Sequence, residues 1–185
     1  MSFLFSALLV FLLIFQFFLL FILLAIVSIV FSSIVSVPWV PTHSRIGRQM
    51  FKLADLQPEE IVVDFGCGDG SLLITAVKEF GAKRGIGYEQ QLFVRWLGKL
   101  RVHLAGLSGK IEIRKENFFK VEFPKEVHVV ASYLFPKTQA DLEPLLRKAY
   151  PKGTRVISRT FTYPTLELIK TEKNYKNENL YLYRL

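Results

Sequence analysis

The first 42 residues of this 185-residue chain contain no aspartate, glutamate, lysine, arginine or histidine. All 24 basic and 16 acidic side chains lie beyond them, so the net charge of +8 belongs entirely to the rest of the chain. The start also lacks the features of a cleaved signal peptide, namely a basic beginning, a shorter apolar region and a small-residue cleavage site. The chain therefore divides into two regions that suit different solvents.

Residues 3–31 form an almost unbroken apolar run that contains no glycine or proline and only Ser6, Gln16 and Ser28 as polar members. A helix of this length, at about 1.5 Å per residue, is longer than the ~30 Å hydrocarbon core of a bilayer. No turn signal divides the run into two spans. We therefore predict a single transmembrane anchor at residues 1–36, with the lipid bilayer as the partner of residues 3–31.

Basic residues follow the predicted span closely, at Arg45, Arg48 and Lys52, and none precedes it. The positive-inside rule then predicts that the region after the span lies in the cytoplasm, or on the matrix side in a mitochondrion. We expect an extended elbow and a leading helix at residues 37–56, where Trp39 is suited to the membrane interface. Residues 57–185 would form the main domain.

Cysteine and histidine are scarce, and this argues against a metal site. The chain has one cysteine, Cys67, and therefore no Cys-x-x-Cys pair, while His43, His103 and His128 are scattered along the sequence. A single cysteine also agrees with a reducing compartment. We expect no bound metal.

Beyond the anchor, apolar segments alternate with amphipathic ones, and this pattern predicts a doubly wound α/β sheet. The predicted strands are residues 61–65, 84–89, 111–114, 127–133 and 154–160, and the predicted helices are residues 71–80, 92–107 and 138–150. Two alternating segments at the end, residues 166–171 and 179–185, predict an antiparallel hairpin. The continuous apolar run at 127–133 is typical of a strand buried on both faces.

The first of these strands leads into a glycine-rich turn, since residues 61–70 read IVVDFGCGDG. Gly66, Gly68 and Gly70 would allow the backbone to approach a nucleotide-like ligand where side chains would obstruct it. The following helix begins at Ser71, which we expect to cap it. A tight strand-to-helix turn that binds nothing is the alternative interpretation.

The spacing of the glycines disfavours a dinucleotide. The dinucleotide fingerprint is Gly-x-Gly-x-x-Gly, but here the third glycine comes one position early and Ser71 stands in its place. Two acids, Asp64 at the end of the strand and Asp69 in the turn, would repel a pyrophosphate and favour a cationic ligand. S-adenosylmethionine carries a sulfonium and an ammonium group beside an adenosine, so its chemistry fits the turn from Asp64 to Gly70, with Cys67 contributing its backbone.

Two further strand ends supply polar side chains. Glu89 ends the second strand, where a carboxylate can accept hydrogen bonds from both ribose hydroxyls. Asn117 follows the third strand, where its amide is placed to meet the adenine edge. The alternative for both residues is that they only cap turns.

Four passages together resemble a known family. They are VPT at residues 40–42, the turn from Asp64 to Gly70, GIGYE at residues 85–89, and the stretch from NFFKV at residues 117–121 through SYLFP at residues 132–136. In these passages the chain from Pro38 onward resembles class I S-adenosylmethionine-dependent methyltransferases. More narrowly, it resembles the single-span protein-lysine methyltransferases of mitochondria that modify the ADP/ATP carrier and the ATP synthase c-subunit, with their prokaryotic relatives.

The resemblance implies a fold and a reaction. The fold would be a Rossmann-like seven-stranded methyltransferase sheet over residues 57–185, with five parallel βα units and a C-terminal antiparallel hairpin. The reaction would be in-line transfer of a methyl group from S-adenosylmethionine to a lysine amine of a membrane or membrane-proximal protein. Two residues depart from the family pattern, because a small residue such as serine usually stands at Cys67 and aspartate usually stands at Asn117.

A neutral lysine amine is needed for such a transfer, and a dry aromatic pocket would provide it by lowering the pKa of the lysine. The candidates for its walls are Tyr133 and Phe135 after the fourth strand, and Phe161 and Tyr163 after the fifth. Ordinary core packing is the alternative for these rings. Thr42 is a candidate contact for the methionyl end of the cofactor.

Other functions remain open at this point. The lysine and arginine excess favours a nucleic-acid methyltransferase, but residues 132–136 lack the paired prolines that amino-methylating enzymes of that kind usually carry, and a membrane anchor fits it poorly. An anionic leaflet nearby explains the basic charge more simply, so nucleic acid is not an expected partner. Methylation of a small molecule or a lipid, and a non-catalytic membrane adaptor that binds the cofactor, are the further alternatives.

Overall fold

The computed structural model describes residues 2–35 and 42–185. The chain divides into two compact units, one ending at Pro38 and one beginning at Trp39. Residues 37–41 of the predicted elbow, Trp39 among them, lie outside the described residues. The predicted domain boundaries at residues 36 and 56 stay predictions.

The N-terminal unit is one helix, α1, at Ser2–Val35. Its segment Phe5–Ser28 has a mean hydropathy of 3.2, and none of it is buried within the protein. By length and composition this segment is long and apolar enough to cross a membrane once.

The second unit is a sheet of seven strands with helices between them. The helices are α2 (Ser44–Leu53), α3 (Ser71–Phe80), α4 (Leu92–Leu104) and α5 (Pro136–Ala149), and the strands are β1 (Ile61–Phe65), β2 (Arg84–Tyr88), β3 (Ile111–Arg114), β4 (Val129–Ser132), β5 (Arg155–Arg159), β6 (Glu167–Lys173) and β7 (Asn179–Arg184). The order across the sheet is β3-β2-β1-β4-β5-β7-β6. The first five strands are parallel, while β7 runs antiparallel to both β5 and β6. The predicted Rossmann-like fold with a C-terminal hairpin is confirmed.

Alternate residues of the strands pack into two separate cores, one on each face of the sheet. Val62 and Ala131 belong to the core that also contains side chains of α2, α3 and α4. Val63 and Val130 belong to the other core, with Leu142 and Leu146 of α5. Each fully buried aliphatic side chain contributes about 1.5–3 kcal/mol. Because β1 and β4 are covered on both faces, they fix the centre of the sheet and the position of the loops that leave it.

The predicted boundaries agree with the structure at β1, α3 and β3 and differ by a few residues elsewhere. β4 is shorter than predicted because Val127 and His128 precede the ladder, where the His128 amide instead donates to the carbonyl of Ile61. α5 begins two residues earlier than predicted. Its first residue is Pro136, and proline at a first helical position costs no hydrogen bond because that amide has no partner in the helix.

Gly87 is required where β2 passes beneath the glycine-rich turn. A Cβ atom at this position would clash with the Cys67 sulfur and would lie 2.8 Å from Leu73 Cδ1. We expect Gly87→Ala to destabilise the domain by ~1–3 kcal/mol, because well-packed neighbours must move. Denaturant unfolding of the full-length protein in detergent measures the effect. Gly109→Ala is the matched control, since a Cβ atom there has nothing within 4 Å; equal destabilisation by both variants would contradict this explanation.

Candidate functional site

The candidate site lies at the carboxyl ends of the parallel strands. In register, Asp64 of β1 lies between Gly87 of β2 and Ala131 of β4. The chain leaves this edge through the glycine turn after β1, through Glu89 after β2, and through the segment that begins at Tyr133 after β4. Parallel topology therefore brings together side chains that are far apart in sequence.

The glycine turn after β1 is held against the end of β2. The amides of Gly66 and Cys67 both donate to the carbonyl of Tyr88, at 3.0 Å each. Gly66 and Gly70 have φ values of 81° and 73°, in the left-handed region that side chains disfavour. A Cβ atom on Gly66 would also approach Leu134 Cδ2 to 2.9 Å. Gly66 and Gly70 are thus the residues that this backbone conformation favours, and hydrogen bonds to Tyr88 fix the start of the turn.

Glu89 holds the same turn from the other side. Its Oε2 accepts a hydrogen bond from the amide of Gly68 at 3.1 Å, and its Oε1 accepts one from the amide of Gln91 at 2.8 Å. Burial raises the pKa of Glu89 above its usual value, and the hydrogen bonds from Gln91 and Gly68 oppose that rise. Each carboxylate oxygen keeps a second lone pair. The carboxylate is therefore fixed in place with capacity to accept hydrogen bonds from ligand hydroxyls.

Asp64 is buried at the end of the central strand, with 4% of its surface exposed. Desolvation, followed by the negative charges of Glu89 and Asp69, raises its pKa to about 8. Three carboxyl groups thus lie around one turn, and the charged form of Asp64 is disfavoured there. This arrangement disfavours a phosphate and would be relieved by a cation, so the residues present fit the ammonium and sulfonium charges of S-adenosylmethionine.

Asp69 is engaged in structural contacts. Its Oδ1 accepts hydrogen bonds from the Ser71 amide at 3.2 Å and from the Ser71 hydroxyl at 2.6 Å, and its Oδ2 forms an ion pair with Arg101 of α4. The prediction that Ser71 caps α3 is wrong: Gly70 is the N-cap residue, without a side-chain cap, and Asp69 supplies the acceptor. The predicted contact of Asp69 with a cofactor stays a prediction.

Cys67 is buried beneath the turn, and its sulfur lies against Gly87. Burial, together with the nearby charges of Asp64 and Glu89, raises the pKa of the thiol well above its usual value. The thiol is therefore protonated at neutral pH and is not a nucleophile. Its amide holds the turn against Tyr88, and the predicted contact of its backbone with a cofactor stays a prediction.

Asn117 forms a local turn after β3. Its Oδ1 accepts a hydrogen bond from the amide of Phe119 at 3.0 Å, and its carbonyl accepts one from the amide of Lys120 at 2.8 Å. This is the turn-capping arrangement that the sequence left open as an alternative. The predicted adenine contact stays a prediction.

Three of the four predicted pocket aromatics form one cluster. Tyr133 and Phe161 are stacked, with ring centroids 6.1 Å apart, and Phe135 meets Phe161 edge-on at 5.9 Å. Phe135 is 42% exposed, so the cluster reaches the surface. We call Tyr133, Phe135 and Phe161 the aromatic wall.

Tyr163 is not part of the aromatic wall, so this prediction is wrong. The side chain is buried, and its hydroxyl lies 3.0 Å from the Ser132 hydroxyl. Its ring packs edge-on against Tyr183 of β7. Two residues after Phe161 along the chain, Tyr163 points into the core between the sheet and α5, which is the packing alternative noted for these rings.

Arg159, which the sequence reasoning missed, supports the aromatic wall. It is 3% exposed, and its guanidinium lies 4.3 Å from the centroid of the Tyr133 ring. It donates to both carboxylate oxygens of Glu178 at 2.9 Å and to the Thr42 hydroxyl at 3.4 Å. The sequence signal was an arginine at the C-terminal end of a buried strand. Arg159 thereby joins Thr42, the first described residue after α1, to the wall.

A buried hydrogen-bond network, also missed, holds the other side of the wall. Gln139 of α5 donates to the hydroxyl of Ser158 at 2.6 Å, and Ser158 donates to the carbonyl of Phe161 at 2.7 Å. Thr160 has a φ of 67°, which turns the chain sharply after β5. These contacts fix the backbone that presents Phe161.

Within the described ranges 2–35 and 42–185, no group of three or more histidine, cysteine, aspartate or glutamate residues is arranged to hold a metal ion.

Known proteins resemble this chain in sequence over most of its length. A family model described as the ANTKMT methyltransferase domain matches residues 64–170. A protein-lysine N-methyltransferase of Saccharolobus islandicus (strain REY15A) is 36% identical over 155 residues, which cover 82% of this chain and 96% of that protein. The adenine nucleotide translocase lysine N-methyltransferase of Mus musculus is 30% identical over 131 residues, which cover 71% of this chain and 56% of that protein. The chain thus spans about half the length of the mouse relative.

Solved structures show the same fold. An RNA methyltransferase from Salinibacter ruber, in complex with S-adenosyl-L-homocysteine, superposes with a TM-score of 0.73 and 28% identity, covering 78% of this chain and 93% of that one. TrmN from Thermus thermophilus superposes with a TM-score of 0.64 at 17% identity, covering 76% of this chain and 48% of that one.

The buried carboxyl of Asp64 makes stability depend on pH. Its folded-state pKa, about 8, lies above its ordinary value of 3.8, so the folded protein binds this proton more tightly than the unfolded chain does. The resulting stabilisation is complete below about pH 4 and is lost as the pH rises toward about 8. We expect the thermal midpoint of the ligand-free wild type to fall relative to that of Asp64→Asn between about pH 4 and about pH 8 and to change little more above that range.

Differential scanning fluorimetry of the full-length protein in detergent measures both midpoints. Asp69→Asn is the control, because it weakens the contacts with Ser71 and Arg101 and should lower the midpoint throughout the pH range. A wild-type to Asp64→Asn difference that stays constant with pH would contradict the assignment.

We expect Arg159 to position the Tyr133 ring through the planar shape of its guanidinium as well as through its charge. Arg159→Lys keeps a positive charge but loses the paired hydrogen bonds to Glu178 and the planar contact with Tyr133. We expect Arg159→Lys to lose ~1–3 kcal/mol of stability in chemical denaturation. Arg155→Lys is the control: Arg155 pairs with Glu60, so its replacement should leave the surroundings of the Tyr133 ring unchanged. Tyrosine fluorescence or NMR of the Tyr133 ring should change in Arg159→Lys alone; an unchanged ring environment would refute the positioning role.

Proposed function

The chain belongs to the ANTKMT methyltransferase family, and we propose that it transfers the methyl group of S-adenosylmethionine to a lysine of a protein in or beside a membrane. The observation that carries the proposal is the buried carboxyl of Asp64 at a glycine turn, on the same sheet edge as the aromatic wall. The turn supports a cationic methyl donor, and the wall supports an amine acceptor.

S-adenosylmethionine, when bound, supplies an electrophilic methyl group on a positively charged sulfur. Glu89 would hold the ribose hydroxyls, and the amides of the glycine turn would lie against the ligand. Asp64 would balance its positive charge. Because burial has raised the pKa of Asp64 to about 8, a bound cation would favour release of the Asp64 proton and would gain the full attraction of the carboxylate.

The acceptor amine must reach the site without its proton. A lysine amine has an ordinary pKa near 10.4, and contact with apolar rings lowers that value because the charged form loses its water. Tyr133 and Phe161 are stacked and supported from behind, so they can hold the lysine side chain in a fixed direction. Orientation in a dry pocket supplies most of the acceleration expected for a simple displacement.

Helix α1 and the names of the relatives support a substrate that lies in or beside a membrane. α1 has the length and composition of a membrane span, and residues 36–43 are all that separate it from α2. The mouse relatives are named for lysine methylation of the adenine nucleotide translocase and of the ATP synthase c-subunit. We propose a single-pass anchor with the domain on the cytoplasmic or matrix side, acting on a membrane protein.

RNA methylation is the second candidate, because the Salinibacter ruber neighbour is named an RNA methyltransferase. Lysine is favoured because the archaeal relative named a protein-lysine N-methyltransferase is more similar in sequence and is covered almost completely. Lipid methylation and a cofactor-binding adaptor without catalysis are outcomes that the same experiment distinguishes.

The decisive experiment supplies source membranes and RNA with cofactor labelled on its methyl group. Full-length protein in detergent is added, and label is located by mass spectrometry. We expect label on lysine side chains of membrane proteins, and loss of nearly all label with Glu89→Ala, because the ribose-binding carboxylate and the support of Gly68 are both removed. Glu112→Ala, which changes an exposed carboxylate on β3, is the matched control. Label on RNA or lipid alone would refute the substrate assignment, and no label with measurable cofactor binding would favour the adaptor.

The aromatic wall predicts a separation between cofactor binding and turnover. Phe161→Ala should lower kcat/KM for the protein substrate by about 10-fold or more, since ring contact orients and desolvates the amine. Cofactor affinity, measured by calorimetry, should change little. Phe80→Ala removes a ring of the same size at the end of α3, where it packs against Phe51 of α2; an equal loss of turnover there would show that the effect of Phe161 is only structural.

A further inference from the structure

Helix α4 presents an apolar face to the outside of the domain. Leu92, Trp96, Leu100 and Leu104 recur at every fourth residue, so they lie on one face of the helix. They are 66%, 53%, 38% and 76% exposed, respectively. The opposite face, with Val94, Gly98 and Val102, is buried against the sheet. This arrangement reverses the usual one, in which the outward face of a surface helix is polar.

The helix that carries this face is basic. Residues 90–111 contain no aspartate or glutamate. Lys99 and His103 are exposed on α4 beside the apolar face, while Arg101 on its other side is paired with Asp69. An apolar face centred on tryptophan and bordered by lysine is the pattern of a helix that lies in a membrane interface with anionic headgroups.

We propose that the face of α4 formed by Leu92, Trp96, Leu100 and Leu104 binds the headgroup region of an anionic bilayer leaflet, as a second membrane contact in addition to α1. The proposal rests on the membrane anchoring proposed above. An anchor that holds the domain near a bilayer makes the contact effectively intramolecular, so a modest apolar face is sufficient.

The contact has a consequence for the site. α4 begins three residues after Glu89, so its first turn lies at the edge of the sheet that carries the glycine turn. Binding of α4 to lipid would hold that edge at the level of the headgroups. A lysine at the membrane surface of a protein substrate would then be within reach, whereas a lysine far from the bilayer would not.

The test uses the fluorescence of Trp96, as the sole tryptophan, to measure whether α4 lies in the bilayer. The chain has two tryptophans, so Trp39→Phe leaves only Trp96. This full-length variant is reconstituted in phosphatidylcholine vesicles with about 30% phosphatidylglycerol, in which brominated lipids quench tryptophan from within and acrylamide quenches it from water. We expect brominated lipid to lower the Trp96 emission by about half and acrylamide to have little effect.

Matched charge variants separate apolar insertion from attraction to the lipid charge. Leu100→Lys with Leu104→Lys adds two positive charges to the apolar face of α4, and Asp141→Lys adds the same charge to α5. The first pair should abolish quenching by brominated lipid and restore quenching by acrylamide. Asp141→Lys should leave both values unchanged. Quenching that survives in the double variant would overturn the proposal.

Alkaline carbonate extraction of the same vesicles distinguishes the two membrane claims. Protein that stays in the membrane while Trp96 remains open to acrylamide overturns the α4 contact and leaves the anchor intact. Protein that is released although Trp96 was quenched by brominated lipid supports the α4 contact and refutes the anchor. Trp96 shielded from both quenchers, with disulfide-linked pairs formed by Leu100→Cys, would mean that a second copy covers the face, and this also overturns the proposal.

Discussion

Burial of a carboxyl group at the end of the central strand is the constraint on which the site depends. Asp64 lies between β2 and β4, where both faces of the sheet are covered, and it shares its surroundings with Glu89 and Asp69. Such a concentration of acids opposes folding unless the group holds its proton or meets a cation. The sheet tolerates it because apolar packing of β1 and β4 stabilises the same region. The site thus carries an unfavourable charge arrangement that a positively charged ligand relieves.

The remaining parts of the site serve to hold this edge still. Glu89 and the carbonyl of Tyr88 fix the glycine turn, and Asp69 joins the start of α3 to α4 through Arg101. At the aromatic wall, Arg159 lies over Tyr133, and the Gln139 network holds the backbone of Phe161. Buried polar groups of this kind are costly when unpaired and rigid when paired, so they position rings that apolar packing alone would leave freer to move. Arg159 also reaches Thr42, so the segment that follows the anchor contributes to the wall.

The proposed membrane association would give the two unusual apolar surfaces of this chain a common explanation. α1 is strongly apolar over Phe5–Ser28, and α4 is apolar on its outward face. In a methyltransferase whose substrate lies in a membrane, both would act by restricting where the site can be, since a tethered enzyme meets its substrate at a raised effective concentration. Specificity for a lysine near the bilayer would then depend on geometry as well as on contacts in the pocket.

The sequence by itself determined the fold class, the alternation of strands and helices, and the acids and glycines of the turn after β1. Each of these rests on local patterns: apolar runs, glycine spacing, and a polar residue directly after a strand. The tertiary structure alone decided which of those residues work together. It turned Tyr163 into the core, paired Asp69 with Arg101 of α4, and linked Arg159, which lies over the Tyr133 ring, to Glu178 and Thr42. These outcomes depend on contacts between residues far apart in the chain and on the direction of each side chain, and neither is encoded in a local pattern.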